Sequence, residues 1–191
     1  MSPRRYRLGQ REASVDQTRE RILDAARDVL TTQDRLTIDL VAQHADVARM
    51  TVYNQFGSKA GLLEALFDWL ARRGGLTRLP MVFQQADPDL ALEAFIATFC
   101  AFWSSDRSVL RRLRAIAVLD PELGQLIRTR DEWRRGGVRT LLERRGLQRA
   151  DSVDILFALT SFETFDALAG VDRPGEDVCA MVIDAARRQL T

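Results

Sequence analysis

Sulfur, imidazole and ammonium groups are all scarce in this chain. Its two cysteines, Cys100 and Cys179, are too few for a disulfide scaffold and have no metal-ligand spacing. A single histidine, His44, removes most acid–base and metal mechanisms. No GxSxG, P-loop, HExxH, CxxC or dinucleotide fingerprint occurs, so no catalytic residue, metal site or cofactor is expected. No uncharged apolar run approaches the ~20 residues needed to span a bilayer, and membrane insertion is not expected. No apolar stretch follows Met1-Ser2-Pro3-Arg4-Arg5, so no secretory leader is expected and the chain reads as cytoplasmic. An excess of one charge is lacking too: 28 basic against 27 acidic residues leave a net +1, which excludes a globally basic coat.

What is present is helical period. The 191 residues suit one domain, or one plus a small module, and 46% hydrophobic content fits a globular chain. The five prolines and eleven glycines stand mostly at borders, and the segments between them repeat every 3.6 residues. No segment alternates as a strand does. The fold class expected is all-α. Ile22, Leu23, Ala25, Ala26, Val29 and Leu30 share one stripe of a first helix from about Thr18, with Asp16 as its N-cap. Thr37 caps a short helix to about His44, Ala45-Asp46-Val47 forms a tight link, and a second short helix ends near Phe56 before Gly57. Ser58 caps a Leu-rich helix that runs to Gly74-Gly75.

Residues 74 to 87 look like a linker. Five further helices are expected at about 88–104, 106–119, 121–145, 151–168 and 175–190. Gly136-Gly137, inside the third of these, marks a kink, a close helix approach or a hinge, of which the kink is the expectation.

Two short helices on a three-residue link, preceded by a packing helix, form a helix-turn-helix. Val47, Val52 and Phe56 would anchor the second helix. Arg49, Met50, Thr51, Tyr53, Asn54 and Gln55 are left to the outside, a set with donors, acceptors and an apolar tip for base edges and phosphates. Before them stand Arg4, Arg5, Arg7 and Arg11, a basic tail over 1–17 that is either a solvated end or, as expected beside a DNA-binding module, one that reaches the minor groove or phosphates.

Arg21-Ile22-Leu23-Asp24-Ala25-Ala26, the run Val52-Tyr53-Asn54-Gln55-Phe56-Gly57-Ser58-Lys59 and then Leu62-Leu63-Glu64-Ala65 resemble the TetR family of transcriptional regulators. The resemblance is strong over about a quarter of the chain and rests elsewhere on helix layout. It implies a helix-turn-helix DNA-binding domain at 18–57, a connecting helix at 58–74 and a larger helical ligand-binding and dimerisation domain at 75–191. It implies that Val47–Phe56 is a recognition helix in the major groove, and that Thr37, Tyr53 and Lys59 touch the phosphate backbone. Lys59, the only lysine, sits in a first helical turn, where an anion is favoured and a bare cation is not. Three positions depart from the family pattern. Asp46 stands where glycine is usual, Ala48 removes a hydroxyl cap worth ~0.5–2 kcal/mol, and the Thr31–Leu36 connection is short.

The resemblance implies a ligand-responsive regulator, a repressor released from its operator by a small molecule; a constitutive DNA-binding protein without a ligand is the alternative. Core packing is the default reading for any one aromatic ring here, but a bundle of this size does not need so many, and Phe99, Trp103, Trp133, Phe162 and Phe165 are the rings named for an effector pocket. The effector itself is unidentified. One recognition helix makes too few base contacts for useful specificity, so a homodimer on a palindromic double-stranded operator is expected. Stripes at Val153, Leu156, Phe157, Thr160 and Thr164, and at Val178, Met181, Val182 and Ala185, are expected to form its four-helix seam. The helix at 106–119 is expected to push the connecting helix when ligand binds.

Overall fold

The computed structural model describes residues 3–147 and 149–190, with backbone alone for 3–14. The described residues are all-α, with no strand among them. The expected reach of Arg4, Arg5, Arg7 and Arg11 to DNA lies outside the described side chains.

Helix α1 spans Pro3–Thr32 and so begins fifteen residues before the expected start, with Asp16 inside it and not capping it. Proline is tolerated in a first turn, and the helix after it runs through Gly9 and meets no further proline. α2 (Ile38–His44) and α3 (Arg49–Phe56) follow as expected, then α4 (Lys59–Arg73). Ile22, Ala26, Val41, Val52, Leu62 and Leu66 close the core of this head, each withdrawn from solvent.

The expected linker is instead folded. Gly75 turns in the left-handed region at φ 87°, a 3-10 turn covers Leu76–Arg78, and α5 (Leu79–Gln84) packs on the next helix. Leu76, Leu79, Val82 and Phe83 give it an apolar side, and Pro80 falls in the first turn, where its missing N–H costs nothing.

The body is α6 (Pro88–Ser105), α7 (Arg107–Ala117), α8 (Pro121–Arg144), α9 (Ala150–Leu159), α10 (Phe162–Ala169) and α11 (Gly175–Gln189). α6 is its central post, touching α5, α8, α10 and α11. Asp87 and Asp120 cap α6 and α8 as their Asp-Pro pairs predict, Asp87 accepting from the Asp89 and Leu90 amides at 2.8 and 3.2 Å.

One expected helix at 151–168 is two. The Thr160 hydroxyl donates back to the Leu156 carbonyl at 2.8 Å, and Ser161 caps α10 by accepting from the Thr164 amide at 3.1 Å. Such local side-chain bonds compete with helix continuation. The expected kink at Gly136-Gly137 is a close approach: α8 runs unbroken, and a Cβ at Gly137 would stand 2.9 Å from the Phe95 ring.

The expected seam residues Val153, Leu156, Thr160, Val178 and Val182 are buried within the subunit, because α9 and α11 pack on each other and α6 covers α11. The outward sides of α9 and α11 carry Ile155 and Met181. Cys100 on α6 and Cys179 on α11 are neighbours, not isolated fillers. The Cys100 thiol donates to Cys179, which pulls Cys179 down to about 7 and pushes Cys100 up.

Candidate nucleic-acid interface

The turn between α2 and α3 has the chemistry anticipated for it. Asp46 takes φ 50°, the left-handed conformation that a short polar side chain tolerates. Ala48 caps α3 with no side-chain bond; the Thr51 amide instead reaches the Ala48 carbonyl at 2.8 Å. Val52 is fully buried under α3, and Val47 and Phe56 pack beside it at the core margin.

The other side of α3 is open. Arg49, Met50 and Asn54 are exposed, Met50 at 64%, while Thr51 and Tyr53 are half-buried. Arg49 is less free than its sequence position suggests. It pairs with Asp39 of α2 at 3.1 Å and donates to the Tyr53 hydroxyl at 3.3 Å. The phenol accepts there, so its own hydrogen remains for an acceptor on a nucleic acid. Thr37 behaves alike: its Oγ1 accepts from the Leu40 amide at 3.2 Å and keeps one O–H to donate. Arg19 of α1 braces the far end of α3, its guanidinium 4.4 Å from the Phe56 ring and its Nη1 donating to the Gln55 carbonyl at 2.9 Å.

Lys59 does meet an anion, and it is one from this chain. Its ammonium pairs with Asp120, the N-cap of α8. The same carboxylate accepts from the Leu123 amide at 3.1 Å. Lys59 and then this amide hold Asp120 below the usual carboxylate range. Sequence reading missed this partner, which lies 61 residues away.

Head and body also meet along α1 and α4. Arg27 pairs with Asp106 at the start of α7, and Arg112 of α7 donates to the Gln33 carbonyl at 3.0 Å. α7 packs on α8 within the body and on α1 of the head, and the main body partners of α4 are α8 and α6. That corrects the expectation that 106–119 pushes α4.

Beneath α4 lies a cavity of about 230 Å³. Phe67 and Ala71 of α4, Phe83 of α5, the Phe95-Phe99-Trp103 row of α6 and Trp133 of α8 form much of its wall. The rings follow one another, with centroids 6.1 Å apart for Phe83–Phe95, 4.8 Å for Phe95–Phe99 and 5.8 Å for Phe99–Trp103. Of the five expected rings, Phe99, Trp103 and Trp133 line it. Phe162 instead backs the wall, edge-on to Trp103 at 5.6 Å, and Phe165 is buried near the start of α11.

Polar groups in the wall went unnoticed in the sequence. Arg114, Arg130, Asp131 and Arg134 line the cavity. The Arg134 side chain is 2% exposed; it donates to the Phe157 carbonyl at 2.6 Å and to the Thr160 hydroxyl at 2.7 Å. Burial pushes its guanidinium down to about 10, against the pull of Asp131. In sequence Arg130, Asp131 and Arg134 sit in a charge-rich run, Arg128 to Arg135, and Arg114 closes another, Arg111 to Arg114.

The sequence profile of bacterial regulatory proteins of the tetR family matches residues 22–66. The chain is 35% identical over 130 residues to the HTH-type transcriptional regulator AlkX of Mycobacterium tuberculosis, a match covering 64% of this chain and 59% of that one. It therefore spans about three-fifths of that relative's length. Among solved structures, a TetR transcription regulator from Haloarcula marismortui superposes with a TM-score of 0.67 at 18% identity, covering 91% of this chain and 96% of the other. A transcriptional regulator from Rhodococcus sp. Rha1 does so with 0.66 at 21% identity, covering 90% and 95%. These two share the fold of the whole chain, while the profile and AlkX share its residues. Sequence in the head and layout in the body agree: residues 22–66 carry the pattern of the tetR family of bacterial regulatory proteins, and the whole chain shares the fold of solved transcriptional regulators.

Proposed function

We propose that the chain is a DNA-binding transcriptional regulator that acts as a homodimer and releases its operator when a small molecule enters the body. The observation that carries this reading is the position of α4. Its N-terminus carries Lys59, three residues after the end of α3, and Phe67 and Ala71, further along the same helix, are part of the cavity wall. A ligand that shifts α4 at one end displaces the other. The division supporting this is a head at 18–57, a connecting helix at 58–74 and a body at 75–191.

In this reading Arg49, Met50, Thr51 and Asn54 meet base edges in the major groove, with Met50 suited to a thymine methyl group. Thr37, Tyr53 and Lys59 meet phosphates, and Lys59 exchanges Asp120 for one. Two subunits joined through the outward sides of α9 and α11 present two copies of α3 about 34 Å apart, one turn of DNA. Effector binding that prefers a different separation by ~1–3 kcal/mol weakens the complex 5–150-fold.

Selection from random duplexes by the full chain, followed by sequencing, tests this. An inverted repeat with half-site centres one turn apart and two chains per duplex is expected. Enrichment of single half-sites, or none, overturns it.

A further inference from the structure

The cavity wall is mostly apolar, yet it holds three arginines and one carboxylate, the other carboxylates lying outside the wall. Arg114, Arg130 and Arg134 stand in the wall with one carboxylate, Asp131, which accepts from Arg114 at 3.1 Å and from Arg134 at 3.3 Å. The further carboxylates they reach stand on the solvent side. Glu163 meets Arg114 at 2.8 Å and is 63% exposed; Asp68 of α4 meets Arg130 at 2.6 Å and is 49% exposed. Arg134 and Arg130 each keep an Nε–H that is buried and has no hydrogen-bond partner. Unpaired buried donors are costly and rare in native interiors, and each calls for an explanation.

The space beside them has a definite size. A dry cavity of ~150 Å³ holds benzene, so about 230 Å³ accepts one ring with a short arm. Gly137 enlarges this space, since a Cβ there would press on Phe95 and Phe83. Aromatic faces suit an apolar body, and the arginines repel a cation.

We propose that the effector of the regulatory reading above is a monocarboxylate with a single apolar ring or short chain. Its carboxylate pairs with the guanidinium groups of Arg130 and Arg134 that line the cavity, and its apolar part lies among Phe95, Phe99 and Trp103. The proposal rests on that reading for its function and on the wall chemistry for its class. Arg130 also stacks on Phe67 at 5.4 Å. A carboxylate that draws Arg130 inward thus loosens its pair with Asp68 and disturbs α4 directly.

The test is calorimetric titration of the full chain with three congeners: 3-phenylpropionate, 3-phenylpropanamide and 3-phenylpropylamine. The acid is expected to bind at least tenfold more tightly than the amide, and the amine least. Arg134→Met and Arg130→Met should each cost the acid at least tenfold and leave the amide within about twofold. Arg130→Met keeps the test decisive if Arg134→Met fails to fold, because Arg134 also holds the Phe157 carbonyl. An amide or amine that binds as well as the acid, the absence of binding by all three, or variants that weaken acid and amide equally overturns the proposal. The same titrations with labelled operator separate the two claims. Acid that binds without releasing DNA supports the ligand class and refutes release; release by the amide alone supports release and refutes the class.

Discussion

Replacing Asp120 with asparagine should make the protein hold DNA more tightly. Asparagine caps a helix about as well as aspartate, so α8 keeps its bond from the Leu123 amide. What is lost is the counter-charge on Lys59. The Lys59 side chain is 35% exposed, so the pair contributes at most ~1 kcal/mol. A dimer must break two such pairs to place both ammonium groups on phosphates. Removing that cost gives up to ~2 kcal/mol, a gain of up to ~25-fold in affinity. Fluorescence anisotropy with a labelled duplex over a range of salt measures it. Lys59→Ala should weaken binding to all sequences alike and lower the salt slope by about one per subunit. In the Lys59→Ala background, Asp120→Asn should change little, since its effect runs through Lys59. If Asp120→Asn raises affinity equally in both backgrounds, the aspartate acts by general repulsion and the competition between Asp120 and phosphate is refuted.

Other expectations are independent of this one. Gly136→Ala should stabilise the chain by ~0.5–1 kcal/mol in a thermal or urea melt, because it adds helix propensity and its Cβ meets nothing within 4 Å. Gly137→Ala should forfeit that gain by crowding Phe95, and a result equal to Gly136→Ala would remove the close-approach account. Asp166 is held below the usual carboxylate range by Arg111 and then Arg107. A depressed carboxylate contributes fully above its unfolded value of about 4 and loses that contribution as pH falls through the folded value, so Asp166→Asn should flatten the acid limb of stability below about pH 4. Cys179 sits near 7 because Cys100 donates to it, so Cys100→Ala should raise the midpoint of its thiolate absorbance; an unchanged midpoint would refute the contact.

Local chemistry was legible in the sequence, and non-local chemistry was not. The left-handed turn at Asp46 and the uncapped start of α3 follow from the residues at 46 and 48, since each needs only its neighbours. The Asp-Pro starts of α6 and α8 are equally local. The break between α9 and α10 escaped notice because Leu159 to Phe165 keeps an apolar helical period; the hydroxyls of Thr160 and Ser161 decide it. α5 was hidden by Gly74, Gly75 and Pro80, whose breaking power ends one turn later. Lys59 was read as waiting for a phosphate, and nothing near it in sequence announces Asp120. The cavity arginines are the sharpest case. Arg130 and Arg134 stand among exposed charges, and only the fold reveals that the Arg134 side chain is 2% exposed.

A hydroxyl-radical footprint of the full chain on its selected duplex tests the central claim, that paired copies of α3 read the major groove, most directly. Two protected patches on one face of the duplex, centred ~34 Å apart, with guanine N7 methylation within the half-sites at those centres blocking binding, are the predicted result. Protection without periodicity, or binding indifferent to major-groove methylation, would contradict it.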